Sequence, residues 1–219
     1  MTNVAQKQEM VAIKKGIMAK FPLMGPVIAR VPFQEDNHVK TAATNGHQVF
    51  YSTSYTCQLT FEEKIFLFAH EIMHIAFDHV MRSGDKDPEI WNYATDAVIN
   101  QMLKASGLPM PAGGIDIPEA AGRSVDEVYE NLIQANYQQK HAGVQGQHGL
   151  WEDAVKEAAK KQNKQMINPQ ISAEREKQFM QTNEAFKQEQ HQAQNVKLTK
   201  CVINPNRSYL KNYTTQLSK

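Results

Sequence analysis

Only two cysteines, Cys57 and Cys201, occur in 219 residues, and they stand far apart in sequence. That spacing excludes a cysteine-based metal knot and points to a reducing compartment, with a single disulfide as the open alternative. No apolar run reaches the roughly 18 residues that a membrane span needs. The N-terminal stretch MTNVAQKQEM is polar and lacks the apolar core of a signal peptide. A cytoplasmic protein with no membrane contact is therefore expected. An excess of one charge is also lacking: 24 Lys and Arg against 23 Asp and Glu give a formal net charge of +1. Such a balance argues against nucleic acid as the main partner. The one basic stretch is the tail from Val196, with Lys197, Lys200, Arg207, Lys211 and Lys219 and no acid. It leaves nucleic acid or an acidic partner as a weaker alternative to a solvated tail.

What the chain does contain is a run from Phe61 to His79, FEEKIFLFAHEIMHIAFDH, apolar on nearly every side yet carrying His70, Glu71 and His74. In an α-helix, residues four apart share a face, so two imidazoles can meet at one point. Glu71 lies beside them, within reach of a water at that point. Left unpaired in an apolar setting, these three groups would cost several kcal/mol. A divalent metal with a bound water removes that cost, and two histidines on one helix suit zinc. Iron(II) accepts similar donors. Thr60-Phe-Glu-Glu63 is a capping box that sets the helix start near Phe61. Gly84 is the expected C-terminal cap.

Upstream, Val4 to Phe21 has helical spacing, with Met10, Val11, Ile13, Ile17 and Met18 as its apolar face. Pro22 and Gly25-Pro26 break it. Val27–Val31 and Val39–Thr44 then read as strands, and Asn45-Gly46 as a hairpin turn returning through Gln48–Thr53. The expected result is a small, mostly antiparallel sheet just before the metal helix. Its edge either holds an extended peptide or merely shields the helix.

Downstream, Asp87-Pro88-Glu89 opens a second helix that closes at Gly107. Asn92, Asp96 and Asn100 recur every four residues along it, between large apolar side chains. Asn and Asp are poor residues inside a helix. A stripe flanked in this way is expected to face a polar group inside the protein. Asp96 is the expected third metal ligand, with Asn92 and Asn100 orienting it or the histidines. His79 is the rival, but about 140° around an unbroken helix from His74 it is badly aimed. A surface role at the helix end, or a hydrogen bond to Asp78 or a loop, is expected for it instead.

HEIMH followed by WNYATDAVIN, with TAATNGHQVFYS upstream, resembles a metallopeptidase domain of bacterial and phage proteins. That domain often precedes a von Willebrand factor A-like domain. The resemblance covers roughly residues 21–132. It implies a zincin-like protease with His70, His74 and Asp96 as ligands and Glu71 as the base. The chain departs from that pattern in having no Asp-x-Ser-x-Ser motif, and no second domain is expected within these 219 residues.

The loop LPMPAGGIDIP is expected to border a cleft, and Met110 invites comparison with a methionine beneath a metal. Ser124-Val-Asp-Glu127 caps a helix running to about Tyr137, with Val128, Leu132 and Ile133 inward. From Gln138 the composition turns to Gln, Lys, Glu and Ala. His148, in a glycine-rich loop beside Trp151, either approaches the metal or is a surface residue. Residues 172–194 read as an exposed or unfolded polar helix.

The expected fold class is α+β: residues 1–137 form a zincin-like core, and 138–219 a Gln-rich helical extension with a basic tail. Peripheral C-terminal helices complete it. The expected function is peptide-bond hydrolysis by a water activated at Zn2+, with Glu71 as general base and a peptide or protein as substrate. The alternative is a metal-stabilised adaptor without turnover, meeting a protein partner through the extension. Glu71 favours the enzyme, because a structural zinc needs no adjacent base.

Overall fold

The computed structural model describes residues 3–135, 170–182, 184, 185 and 188. Contacts divide the chain into a unit Met1–Met180 and a second unit Gln181–Lys219. In order, the described elements are α1 (Asn3–Lys20), a 3-10 turn (Pro22–Met24), α2 (Gly25–Arg30), β1 (Phe33–Glu35), β2 (Ala42–Thr44), β3 (Val49–Tyr51) and α3 (Thr53–Thr56). Then follow α4 (Phe61–Ala76), α5 (His79–Arg82), α6 (Pro88–Ala105), a second 3-10 turn (Pro118–Ala120), α7 (Val125–Gln134) and α8 (residues 170–182). The class is α+β. No described helix is long and apolar enough to cross a membrane.

α4 is the axis. Its capping box forms as expected: Thr60 Oγ1 accepts from the Glu63 backbone N–H, and Glu63 Oε2 accepts from the Thr60 N–H at 2.8 Å. Ile65, Phe66, Phe68, Ile72 and Met73 of α4 are buried against Ile13 and Ile17 of α1, the sheet, and Ile99 and Leu103 of α6. Each such side chain contributes about 1.5–3 kcal/mol when fully buried. Gly16 lets α1 approach closely, because a Cβ there would stand 2.5 Å from Ile65 Cδ1. A second apolar cluster joins Trp91, Ala94 and Val98 of α6 to Val128 and Leu132 of α7. Val11 and Ile133, expected inward, are 52% and 41% exposed.

Several local expectations are corrected. Residues 27–31 are not a strand: Gly25–Arg30 is helical, with proline at its start, and it buries Ile28. A short apolar run has no periodicity to separate strand from helix, and Pro22 and Pro26 start helical turns rather than simply ending one. The sheet is mixed rather than mostly antiparallel. Its order is β1-β3-β2, with β1 parallel and β2 antiparallel to β3. The Asn45-Gly46 turn spans residues 45–48 between the paired Thr44 and Val49. Only Gly46 takes positive φ, at 86°, while Asn45 Oδ1 accepts from the His47 and Gln48 N–H groups.

The end of α4 also differs. The helix stops at Ala76 rather than Gly84, because Asp78 turns left-handed with φ 53°. Aspartate tolerates that conformation better than most residues. α8 packs there: Ser172 donates to Asp78 Oδ2 at 2.6 Å, and Phe179 meets Phe21 and Phe77. The start of the polar C-terminal helix is thus partly buried rather than exposed. Its Ser172 and Glu176 are each 1% exposed.

Candidate metal centre

The fold brings together three donors from two helices. α4 presents His70 and His74 one turn apart, and α6 runs past it with Asn92, Asp96 and Asn100 on the facing side. The α6 start follows from Asp87, whose carboxylate accepts from the Glu89 and Ile90 N–H groups, and from Pro88 at the first position. His70 Nε2 lies 2.9 Å from His74 Nε2. Asp96 Oδ1 lies 3.4 Å from the first and 3.1 Å from the second. Donors 2.0–2.1 Å from one tetrahedral zinc are roughly 3.3 Å apart. The triangle therefore has the size that such an ion needs. Moreover, Asp96 Oδ1 is buried without a well-formed hydrogen bond, and a buried carboxylate oxygen in that state calls for a cation. These residues fit a divalent metal, and no other group of three His, Cys, Asp or Glu does so among the described residues.

The ring orientations are fixed from behind. Asn100 Nδ2 donates to the Ile115 carbonyl at 2.9 Å, so its Oδ1 is the end that meets His70 Nδ1 at 2.9 Å. An oxygen there requires Nδ1–H on His70, so the neutral ring presents its Nε2 lone pair to a metal. Asn92 Nδ2 reaches Asp96 Oδ2 at 3.5 Å. The polar stripe of α6 thus faces the α4 imidazoles. Trp91, Ala94, Ala97 and Val98 beside it are buried apolar residues.

Burial dominates the electrostatics. It pushes Glu71, 7% exposed, up to about 7. Burial alone would lower His70, but the Asp96 carboxylate overrides it and raises the imidazole above its usual value. His74 is lowered by burial, and the His70 charge adds to that. For Asp96 burial works upward, yet the two imidazoles hold its carboxyl well below the usual range. Without a metal, these shifts favour a protonated His70 beside an ionised Asp96.

A cavity of about 290 Å³ opens onto these groups. Lys40 to Thr44, including β2, line it, together with Tyr55, Phe66, Leu67 and the loop Met110 to Ile115. The proline- and glycine-rich loop therefore borders a cleft as expected, with Met110 in its wall. Glu71 also lines this cavity.

His70, Glu71, His74, Asp96 and Asn100 converge here, and Asn92 touches Asp96. His148 lies outside the described residues. His79 is neither at the surface nor bonded to Asp78. It is fully buried, with Nδ1 3.2 Å from His74 Nδ1, because α4 ends early and turns the chain back. Sequence reasoning also missed Glu176, which lies 3.6 Å from His79 Nε2. No local pattern could have found a contact so remote along the chain.

A family model described as a Putative metallopeptidase domain matches residues 5–208. Neither a curated protein nor a solved structure gives a match.

Proposed function

The chain belongs to the Putative metallopeptidase domain family, and from that premise we propose that it is a zinc-dependent peptidase acting on peptide or protein substrates. One observation carries this reading: three donor atoms of His70, His74 and Asp96 converge at 2.9–3.4 Å in a cavity that Glu71 also lines. Zinc held by these three residues would lower the pKa of a fourth-position water towards ~7 and polarise the scissile carbonyl. Iron(II) accepts the same donor types, but the helical histidine spacing favours zinc.

The remaining chemistry belongs to the chain. Glu71 takes a proton from the attacking water and returns it to the leaving amine. Burial raises the Glu71 carboxyl above the usual carboxylate range, which strengthens it as the base that takes the water proton while leaving it acidic enough to hand that proton to an amine. Asn100 holds His70 with its Nε2 turned to the site. β2 is an edge strand of the sheet and borders the cavity. An extended substrate laid along that edge would pair by main-chain hydrogen bonds and bring its scissile bond to Glu71.

Metal analysis of the purified protein, with anomalous diffraction at the zinc edge, tests the site. About one zinc per chain at His70, His74 and Asp96 is expected. A protein that takes up no metal, or holds it elsewhere, would remove the reading.

A further inference from the structure

Beyond His74 lies a buried polar group that the proposed hydrolysis does not use. His79, Arg82 and Glu176 are 0%, 4% and 1% exposed. His79 Nδ1 stands 3.2 Å from His74 Nδ1. Its other nitrogen, Nε2, is 3.6 Å from Glu176 Oε2 and has no hydrogen-bond partner. Arg82 donates to the same carboxylate oxygen at 2.6 Å, and also to Asp126 at 3.0 Å. The backbone of His79 is pinned as well, because Trp91 Nε1 donates to its carbonyl at 2.9 Å.

Two ring nitrogens 3.2 Å apart need one proton between them. The position of that proton decides whether His74 can bind a metal. Glu176, ionised against Arg82, faces His79 Nε2. A proton on Nε2 is attracted there, whereas a bare lone pair would meet a negative oxygen. A neutral His79 with Nε2–H has Nδ1 as its acceptor. His74 must then donate from its own Nδ1, and its Nε2 is left bare toward Asp96 and His70. The reverse arrangement would put a hydrogen on His74 Nε2, where a metal would have to sit.

We propose that His79 and Glu176 are positioning residues that hold His74 in its metal-binding tautomer, with α8 completing the metal centre from behind. The proposal rests on the zinc reading above. It gives the C-terminal helix a definite role, distinct from a lid over the cavity: the Glu176 side chain acts on His74 through His79.

The test uses the full chain with Glu176→Gln, which keeps shape and removes the charge, and His79→Phe, which keeps a ring and removes both nitrogens. Zinc affinity is measured by competition with a chelator. The tautomer of His74 is read in zinc-free protein by nitrogen-15 NMR. Affinity should fall about 10- to 100-fold in each variant. In wild type His74 should carry its proton on Nδ1, and in Glu176→Gln the Nε2–H form should become populated. A merely structural role would lower the melting temperature without moving the tautomer. Unchanged affinity and unchanged tautomer in a folded Glu176→Gln protein would overturn the proposal. If wild type binds no zinc, the peptidase reading fails separately, and the tautomer measurement still decides the role of Glu176.

Discussion

Asn100 Oδ1 lies 2.9 Å from His70 Nδ1, and this contact ties α6 to α4 at the candidate metal centre. The amide cannot turn over, because its nitrogen donates to the Ile115 carbonyl. Asn100→Ala should therefore free the His70 ring and weaken zinc binding about 10- to 100-fold. Asn100→Asp keeps an acceptor for Nδ1–H and should lose less. Chelator competition measures both, and equal losses would show that the acceptor is not what matters.

Asp96 should be worth more than Asn100. Its Oδ1 is the donor that closes the triangle with the two imidazoles. Asp96→Ala should lower zinc affinity by orders of magnitude beyond the Asn100→Ala loss. The same competition assay ranks the two, and a reversed ranking would remove Asp96 from the ligand set.

Zinc binding should release protons. In the zinc-free protein His70 is held above its ordinary value, so it is protonated near pH 7. A ligand imidazole must be neutral, so about one proton should leave per zinc bound near neutral pH. Titration calorimetry in buffers of different ionisation enthalpy counts it. Zero release at pH 7 would contradict the charge assignment.

Glu71 should shape the acid side of the zinc-free stability curve. Its folded value, about 7, lies above the ordinary carboxyl value of 4.5. The contribution is therefore fully present below about pH 4.5 and is lost as pH rises through about 7. Relative to Glu71→Gln, the zinc-free wild type should lose up to ~3 kcal/mol across that window, at about 1.4 kcal/mol per pH step between the two values. Urea unfolding at pH 4 to 8 measures the difference, and a flat difference would mean that Glu71 is not desolvated.

Much of the site was legible because it is helical and local. Thr60 and Glu63 fix the phase of α4, so His70 and His74 must share a face. The four-residue recurrence of Asn92, Asp96 and Asn100 marks a polar seam that apolar flanks force inward. The sheet was less legible. Its strands are three residues each, and Val27 to Val31 is too short for periodicity to tell helix from strand. The parallel pairing of β1 with β3 is set by tertiary contact and leaves no turn signature. His79 was misplaced because one left-handed residue, Asp78, ends α4 early. Glu176 was invisible for another reason: a buried acid in a polar helix looks like a solvated one until its partners Arg82 and His79 are seen.

The most direct measurement is hydrolysis of an unfolded protein by zinc-loaded wild type and zinc-loaded Glu71→Gln. Glutamine keeps the shape of the side chain and removes the base, and it leaves the three donors untouched. The expected result is an intact fold, retained zinc, and a rate lower by at least ~100-fold, the scale of general-base catalysis. Equal rates in the two proteins, or no cleavage by a zinc-loaded wild type, would contradict a peptidase in which Glu71 moves the proton.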